Sequence, residues 1–254
     1  MTTARGPQRA DGWTAAVRQR LGLGRLLPLG GPADGAWIAE TAAASVLRGA
    51  AARPGSVLGR LRIGPAEEAV EGAVTGDGPE ARRDPANAAG PAGPVPPPAP
   101  PSALPPGPLR IEAEFSAAPD RPLTDTAAAL RGALLTAAAA RLGLEITEVD
   151  LTVTALLEDG APDQVTAPAA APAARVAKPE GPVARAAAGT PGVVSLTRVL
   201  GSPVHTSRDH VRVEVATAGD HRALDVARSV RTAVAAAAEE RLPVSVLVTD
   251  VVSR

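Results

Sequence analysis

Proline decides how this chain can fold. The sequence has 254 residues, of which 27 are Pro and 25 Gly, unevenly spread. From Gly64 to Pro108 the chain is dense in Pro, Ala and Gly and ends in PAGPVPPPAPPSALPPGP. The segment DGAPDQVTAPAAAPAARVAKPEGP at 159–182 has the same character. Such stretches favour extended polyproline conformations and carry too little apolar surface to order themselves. Three parts that can order remain: residues 11–63, 109–157 and 183–252.

The last two parts match each other at a constant offset of 100. RIEAEF at 110–115 lies over HVRVEV at 210–215, and ALRGALLTAAAARL at 129–142 over SVRTAVAAAAEERL at 229–242. Arg131 then matches Arg231, Leu134 Val234, Arg141 Arg241, and Asp150 Asp250. Upstream, SVLRGAAARPGSVLGRLRI at 45–63 resembles PVARAAAGTPGVVSLTRVL at 182–200, with Arg48 over Arg185 and Pro54-Gly55 over Pro191-Gly192. Self-similarity of this kind marks an internal duplication. Each copy reads as helix, strand, strand, helix, strand, and the first carries the Pro-rich insertion between its first two strands.

The patterns support those elements. Val211, Val213 and Val215 alternate with Arg212 and Glu214, as a half-buried strand requires. Leu123, Ala127, Leu130, Leu134 and Ala138 recur at helical steps, as do Leu224, Ala227, Val230, Val234 and Leu242. Pro243 is expected to end the second of these helices. Runs at 144–153 and 244–251 read as closing strands. The predicted fold class is α+β, two similar small units with long Pro/Ala-rich disordered segments. The predicted divisions are a basic amphipathic segment at 1–36, a first unit at 37–157 with its insertion at 64–108, a linker at 158–182 and a second unit at 183–254.

Composition excludes several chemistries. Cysteine is absent, which removes disulfides, thiolate metal sites and a thiol nucleophile. Lys178 is the sole lysine, in a Pro/Ala stretch unsuited to a phosphate loop or Schiff base. Aromatics are 1% of the chain, namely Trp13, Trp37 and Phe115, and the net charge is −1. Neither suits a nucleic-acid surface, which needs stacking platforms and a basic field. No apolar run is long enough for a spanning helix, and charges interrupt any leader-like stretch. The expected location is cytoplasmic, with membrane association open.

Candidate sites compete with plainer readings. In DGWTAAVRQRLGLGRLLPLGG, Trp13, Val17 and Leu21 share a helical face beside Arg18 and Arg20, which suits an anionic membrane surface or a partner's groove. Docking on the chain's own first copy is the simpler alternative. Gly22-Leu-Gly24 lacks the third glycine and the preceding strand of a dinucleotide fingerprint. His205, His210 and His221 with Asp209, Asp220 and Asp225 could form a metal or acid–base site, yet read equally as strand and turn residues. No G-x-S-x-G elbow occurs. Glu67-Glu68, Glu239-Glu240, Glu112, Glu114 and Glu214 read as surface charge. Arg228 and Arg231, with Arg241, Arg131 and Arg141, could grip an acidic partner or be solvated helix faces. Pro98-x-x-Pro101 has the spacing of polyproline ligands, common by chance in such linkers.

ARAAAGTPGVVSLTRVL followed by HVRVEVATAGDHRALDVARSVRTAVAAAAEERLPVSVLVTDV resembles the alkaline shock protein family of Gram-positive bacteria. That family shows a helix ending in a P-G-V turn, a β-rich pair, an amphipathic helix and a final V-x-V-x-V-x-x-V strand. Residues 183–252 carry the pattern well and 37–157 loosely. Two copies, the Pro-rich segments and the lack of Tyr depart from it. The Pro/Ala-rich middle is also similar, in composition alone, to baculoviral fibrous-body (nucleopolyhedrovirus type) proteins. The alkaline shock resemblance implies a non-catalytic cytoplasmic scaffold, membrane-proximal and linked to cell-envelope stress. It implies no catalytic, cofactor or metal residues. It points to a protein partner, an integral membrane protein among the candidates. Three-stranded units also leave sheet edges to cover, through which a homo-oligomer could form. Nucleic acid is not an expected partner, and membrane contact is at most peripheral. Two alternatives stand beside it: lipid binding through the N-terminal amphipathic helix, and an enzyme or metal protein using the C-terminal His/Asp group.

Overall fold

The structure, a computed structural model, describes residues 22–66, 97–100, 102–157 and 175–253. Trp13, Val17, Arg18, Arg20, Leu21, Glu67-Glu68 and most of the two Pro-rich segments lie outside these residues.

Two sheets with their helices make an α+β fold. In the first unit, helix α1 (Glu40–Ala51) leads into β3 (Ser56–Pro65), then β4 (Leu109–Ala117), helix α2 (Leu123–Ala137) and β5 (Ile146–Leu156). β3 runs antiparallel to β4, and β4 parallel to β5. In the second unit, helix α3 (Gly181–Ala188) leads into β7 (Val193–Thr197), then β9 (Val211–Ala218), helix α4 (Ala223–Ala237) and β10 (Val244–Val252). β7 runs antiparallel to β9, and β9 parallel to β10. The element order and pairing are the same in both.

Local details repeat too. Pro54-Gly55 and Pro191-Gly192 turn each first helix into its strand, with Gly55 at φ 76° and Gly192 at φ 85°. Glycine takes this left-handed region without a Cβ clash, and proline pre-sets the residue before it. The Gly55 carbonyl accepts from Ala118 N–H and the Gly192 carbonyl from Ala218 N–H, both at 2.8 Å. In β5 the residue Thr154 bulges out of the ladder opposite Phe115 and Ser116, and in β10 Thr249 does so opposite Val215 and Ala216. Each bulged hydroxyl donates to the carbonyl it skips, Thr154 to Phe115 (3.3 Å) and Thr249 to Val215 (3.2 Å).

These bulges correct the repeat's register. Phe115 and Val215 keep the offset of 100, but Thr154 and Thr249 are 95 apart. Asp150 is therefore not the counterpart of Asp250: it pairs with Glu112, while Asp250 pairs with Ala216. The difference arises at the helix ends. α2 continues as a five-residue π turn, Ala138–Leu142, closed by Gly143 at φ 87°. α4 stops at Ala237, because Ala238 is already extended, at ψ 137°. The expected run of that helix to Pro243 is thus too long by five residues, and Leu242 packs from an irregular segment.

The apolar stripes fill one continuous core. Ile111, Ala113 and Phe115 of β4 and Leu130 and Leu134 of α2 are buried, as are Val211, Val213, Val215, Val230 and Val234 in the second unit. Glu214 departs from expectation. It is fully buried, 0% exposed, and its carboxylate accepts the N–H groups of Val199 (2.6 Å) and Leu200 (3.1 Å). Outward alternation on β9 holds only where solvent lies beyond. Here the chain after β7 folds across that face, and the carboxylate satisfies its backbone.

One hairpin was not legible as such. Leu26–Leu29 (β1) and Ala36–Ala39 (β2) pair antiparallel around a short 3-10 turn, Pro32–Asp34. β2 then pairs parallel with β10 of the second unit, Trp37 opposite Leu247. A larger sheet results, ordered β1-β2-β10-β9-β7-β6, with β6 (Val176–Ala177) at its end and β8 (Val204–Thr206) beside β9. Residues just before α1 thus belong to the sheet of the other unit.

Candidate interaction surface

A three-stranded unit has two edges, that of its first strand and that of its last, and the last strand is the one that follows the crossover helix. In the second unit this is β10, and the hairpin covers it. The Val246 N–H donates to the Gly35 carbonyl at 2.9 Å, and Val246 and Val248 are 0% exposed. The hairpin turn is clamped to α4. Arg228 forks onto Asp34, Nε to Oδ1 at 2.8 Å and Nη2 to Oδ2 at 3.0 Å. Arg231 donates to the Ala33 carbonyl. The Arg228 guanidinium holds the Asp34 carboxyl below its usual range. The acidic partner of these two arginines thus lies within the chain.

In the first unit the corresponding edge is that of β5, and among the described residues no strand pairs with it. Val153, the counterpart of Val248, is 41% exposed. Leu123 at the start of α2 is 37% exposed, whereas its counterpart Ala223 is fully buried. Leu135 and Leu156 are also exposed, so α2 and β5 hold four of the six exposed large apolar side chains among the described residues. The helical stripe read as wholly core therefore splits: Leu130, Leu134 and Ala138 are buried, while Leu123 is exposed and Ala127 half-buried. Clustered apolar surface of this kind marks contact sites. Arg131, the counterpart of Arg231, donates from Nε to the Val149 carbonyl at 3.2 Å. Ala128 stands where Arg228 stands in the second unit, so the clamp has no equivalent.

The outer face of the first sheet is polar. Arg110 bridges Glu112 and Asp150, each at 3.0 Å. Glu112 is exposed and Glu114 partly so. Arg141 and Arg222 join the two units, donating to the carbonyls of Gly219 (3.2 Å) and Ala139 (3.0 Å). Arg241 lines a shallow groove with Arg228, Arg231 and Pro97.

The histidines occupy turns. His210 Nδ1 lies 2.7 Å from Ser207 Oγ and 2.9 Å from Asp209 Oδ1. A serine relay needs carboxylate and hydroxyl on opposite ring nitrogens, and here both meet the same one. The contact with His210 instead ties the loop before β9, and it lowers the Asp209 carboxyl. His221 pairs with the adjacent Asp220 at 2.9 Å. Among the described residues no group of three His, Asp or Glu side chains could hold a metal ion, and no helix is long and apolar enough to cross a membrane. Gly24 sits at φ 67° against Glu40. That buried carboxylate accepts from Arg25 N–H and Ile63 N–H. Sequence reasoning missed the α2–β5 seam. Its signal was present: Val153 and Leu123 repeat Val248 and Ala223, while the clamping arginine does not repeat.

No family model matches this chain, and no curated protein or solved structure matches it either.

Proposed function

We propose that this chain is a non-catalytic scaffold that works through protein–protein contact near the membrane, in the cell-envelope role that the alkaline shock resemblance implies. One observation carries the reading. Among the described residues nothing covers the apolar seam of α2 and β5, while the equivalent seam in the same molecule is covered by a strand and an arginine clamp. An uncovered strand edge flanked by leucine and valine is the usual template for strand addition by a partner.

The test is fractionation of native cells. It compares full-length protein, a form lacking residues 1–29, and Val153→Lys. The reading expects the first two to pellet with membranes and Val153→Lys to stay soluble. Loss of pelleting on deleting residues 1–29 alone would transfer the contact to that segment. Failure of every form to pellet would remove the membrane from the proposal.

A further inference from the structure

We infer that the open seam is closed by a second copy of the chain, the two β5 strands pairing antiparallel about Leu151. This rests on the reading of the α2–β5 seam as a contact surface and names its occupant.

The backbone is oriented for it. Leu151 is the counterpart of Val246, whose N–H points away from β9 to the Gly35 carbonyl. The N–H and C=O of Leu151 therefore point away from β4. Those of Val149 and Val153, two residues either side, point the same way, and the Arg131 contact marks the outward direction at the Val149 carbonyl. That oxygen keeps a second lone pair for an incoming donor.

The side chains are self-complementary. With Leu151 opposite Leu151 of the second copy, Val149 faces Val153 and Asp150 faces Thr152. Apolar residues meet on the helix side, and each carboxylate meets a hydroxyl donor on the other. Sliding the pairing so that Asp150 opposes itself puts like charges together, which destabilises a ladder. Sliding it the other way brings the Thr154 bulge into the ladder. The centred register alone avoids both. Leu135, one helical turn after Arg131 on the same face of α2, extends the apolar contact.

The chain has no cysteine, so single cysteines read the register directly. Directly opposed hydrogen-bonded residues have Cα atoms about 5.5 Å apart, within disulfide range. Full-length protein is expected to show twice the monomer mass by light scattering at high-micromolar concentration. Leu151→Cys should cross-link under mild oxidation, whereas Val153→Cys, which faces Val149, should not. Val153→Lys should weaken the dimer at least about tenfold, with an unchanged far-UV spectrum and, at concentrations dilute enough to leave both forms monomeric, an unchanged urea midpoint. A monomer at every concentration, a dimer indifferent to Val153→Lys, or cross-linking at 153 and not at 151 would each overturn the inference. If the chain is monomeric yet Val153→Lys still abolishes pelleting, the second copy is the wrong occupant and the scaffold reading survives.

Discussion

Val153 and Val248 occupy the same place in two copies of one unit, beside the same threonine bulge. One is 41% exposed and the other 0%. Val248 is covered by Ile38 of β2, a strand that enters from the other unit. The two units share the local geometry, but burial is set by what the neighbouring segment supplies. A closed edge and an open one can therefore come from nearly the same pattern.

The strongest way to break this comparison is to remove the cover. Ile38 is fully buried opposite Val248. Ile38→Ala should cost roughly 2–5 kcal/mol, the range for a large-to-small change in a closed core. Val153→Ala, on the β5 edge, should stay within about 0.5 kcal/mol when measured at concentrations dilute enough to leave the chain monomeric. Urea denaturation of both variants decides it. Equal losses in the dilute monomer would mean that another segment of the same chain covers the β5 edge or that the hairpin packs loosely.

A second contrast sets Glu214 against Glu114, equivalent positions on β9 and β4. Glu214 satisfies two backbone N–H groups in a buried site, and Glu114 lies partly exposed on the open face. Glu214→Ala should destabilise by about 1–3 kcal/mol, because buried donors lose their acceptor. Glu114→Ala should fall within about 0.5 kcal/mol. The thermal midpoints of the two variants give the comparison, and a neutral Glu214→Ala would show that the segment after β7 can leave that face.

The same contrast explains how much could be read beforehand. The helix–strand–strand–helix–strand order came from Pro54-Gly55, Pro191-Gly192 and the valine alternation, all local signals. The five-residue slip between Thr154 and Thr249 was hidden because poly-alanine aligns with itself in any register. Glu214 looked exposed because alternation reports which residues share a face, and what lies over that face is not local. The hairpin was missed for the same reason. LLPL and AWIA are short and flanked by glycines, and they gain strand character only from pairing with β10. The arginines of α4 were legible as a candidate grip, but their partner, Asp34, is 194 residues away.

That arginine clamp gives the smallest effect and the sharpest sign. Asp34 is held below its usual carboxylate range, first by its hydrogen bonds with Arg228. A depressed carboxyl contributes stability above its unfolded pKa and loses it as pH falls through the folded value. Asp34→Asn keeps an acceptor for Gly31 N–H but removes the charge. Because Arg228 is half exposed, the cost at neutral pH should be about 1 kcal/mol or less. The gap between wild type and Asp34→Asn should hold steady above roughly pH 5 and close below about pH 4. In the first unit, Ala128 occupies the clamp position, and Ala128→Arg should open no such gap, since among the described residues no acidic turn covers β5. Urea midpoints measured across this pH range test the clamp. A gap that does not narrow as pH falls from about 5 to about 3 would mean that Asp34 acts through its shape and its bond to Gly31, and that the closed seam owes its closure to the β2 ladder alone.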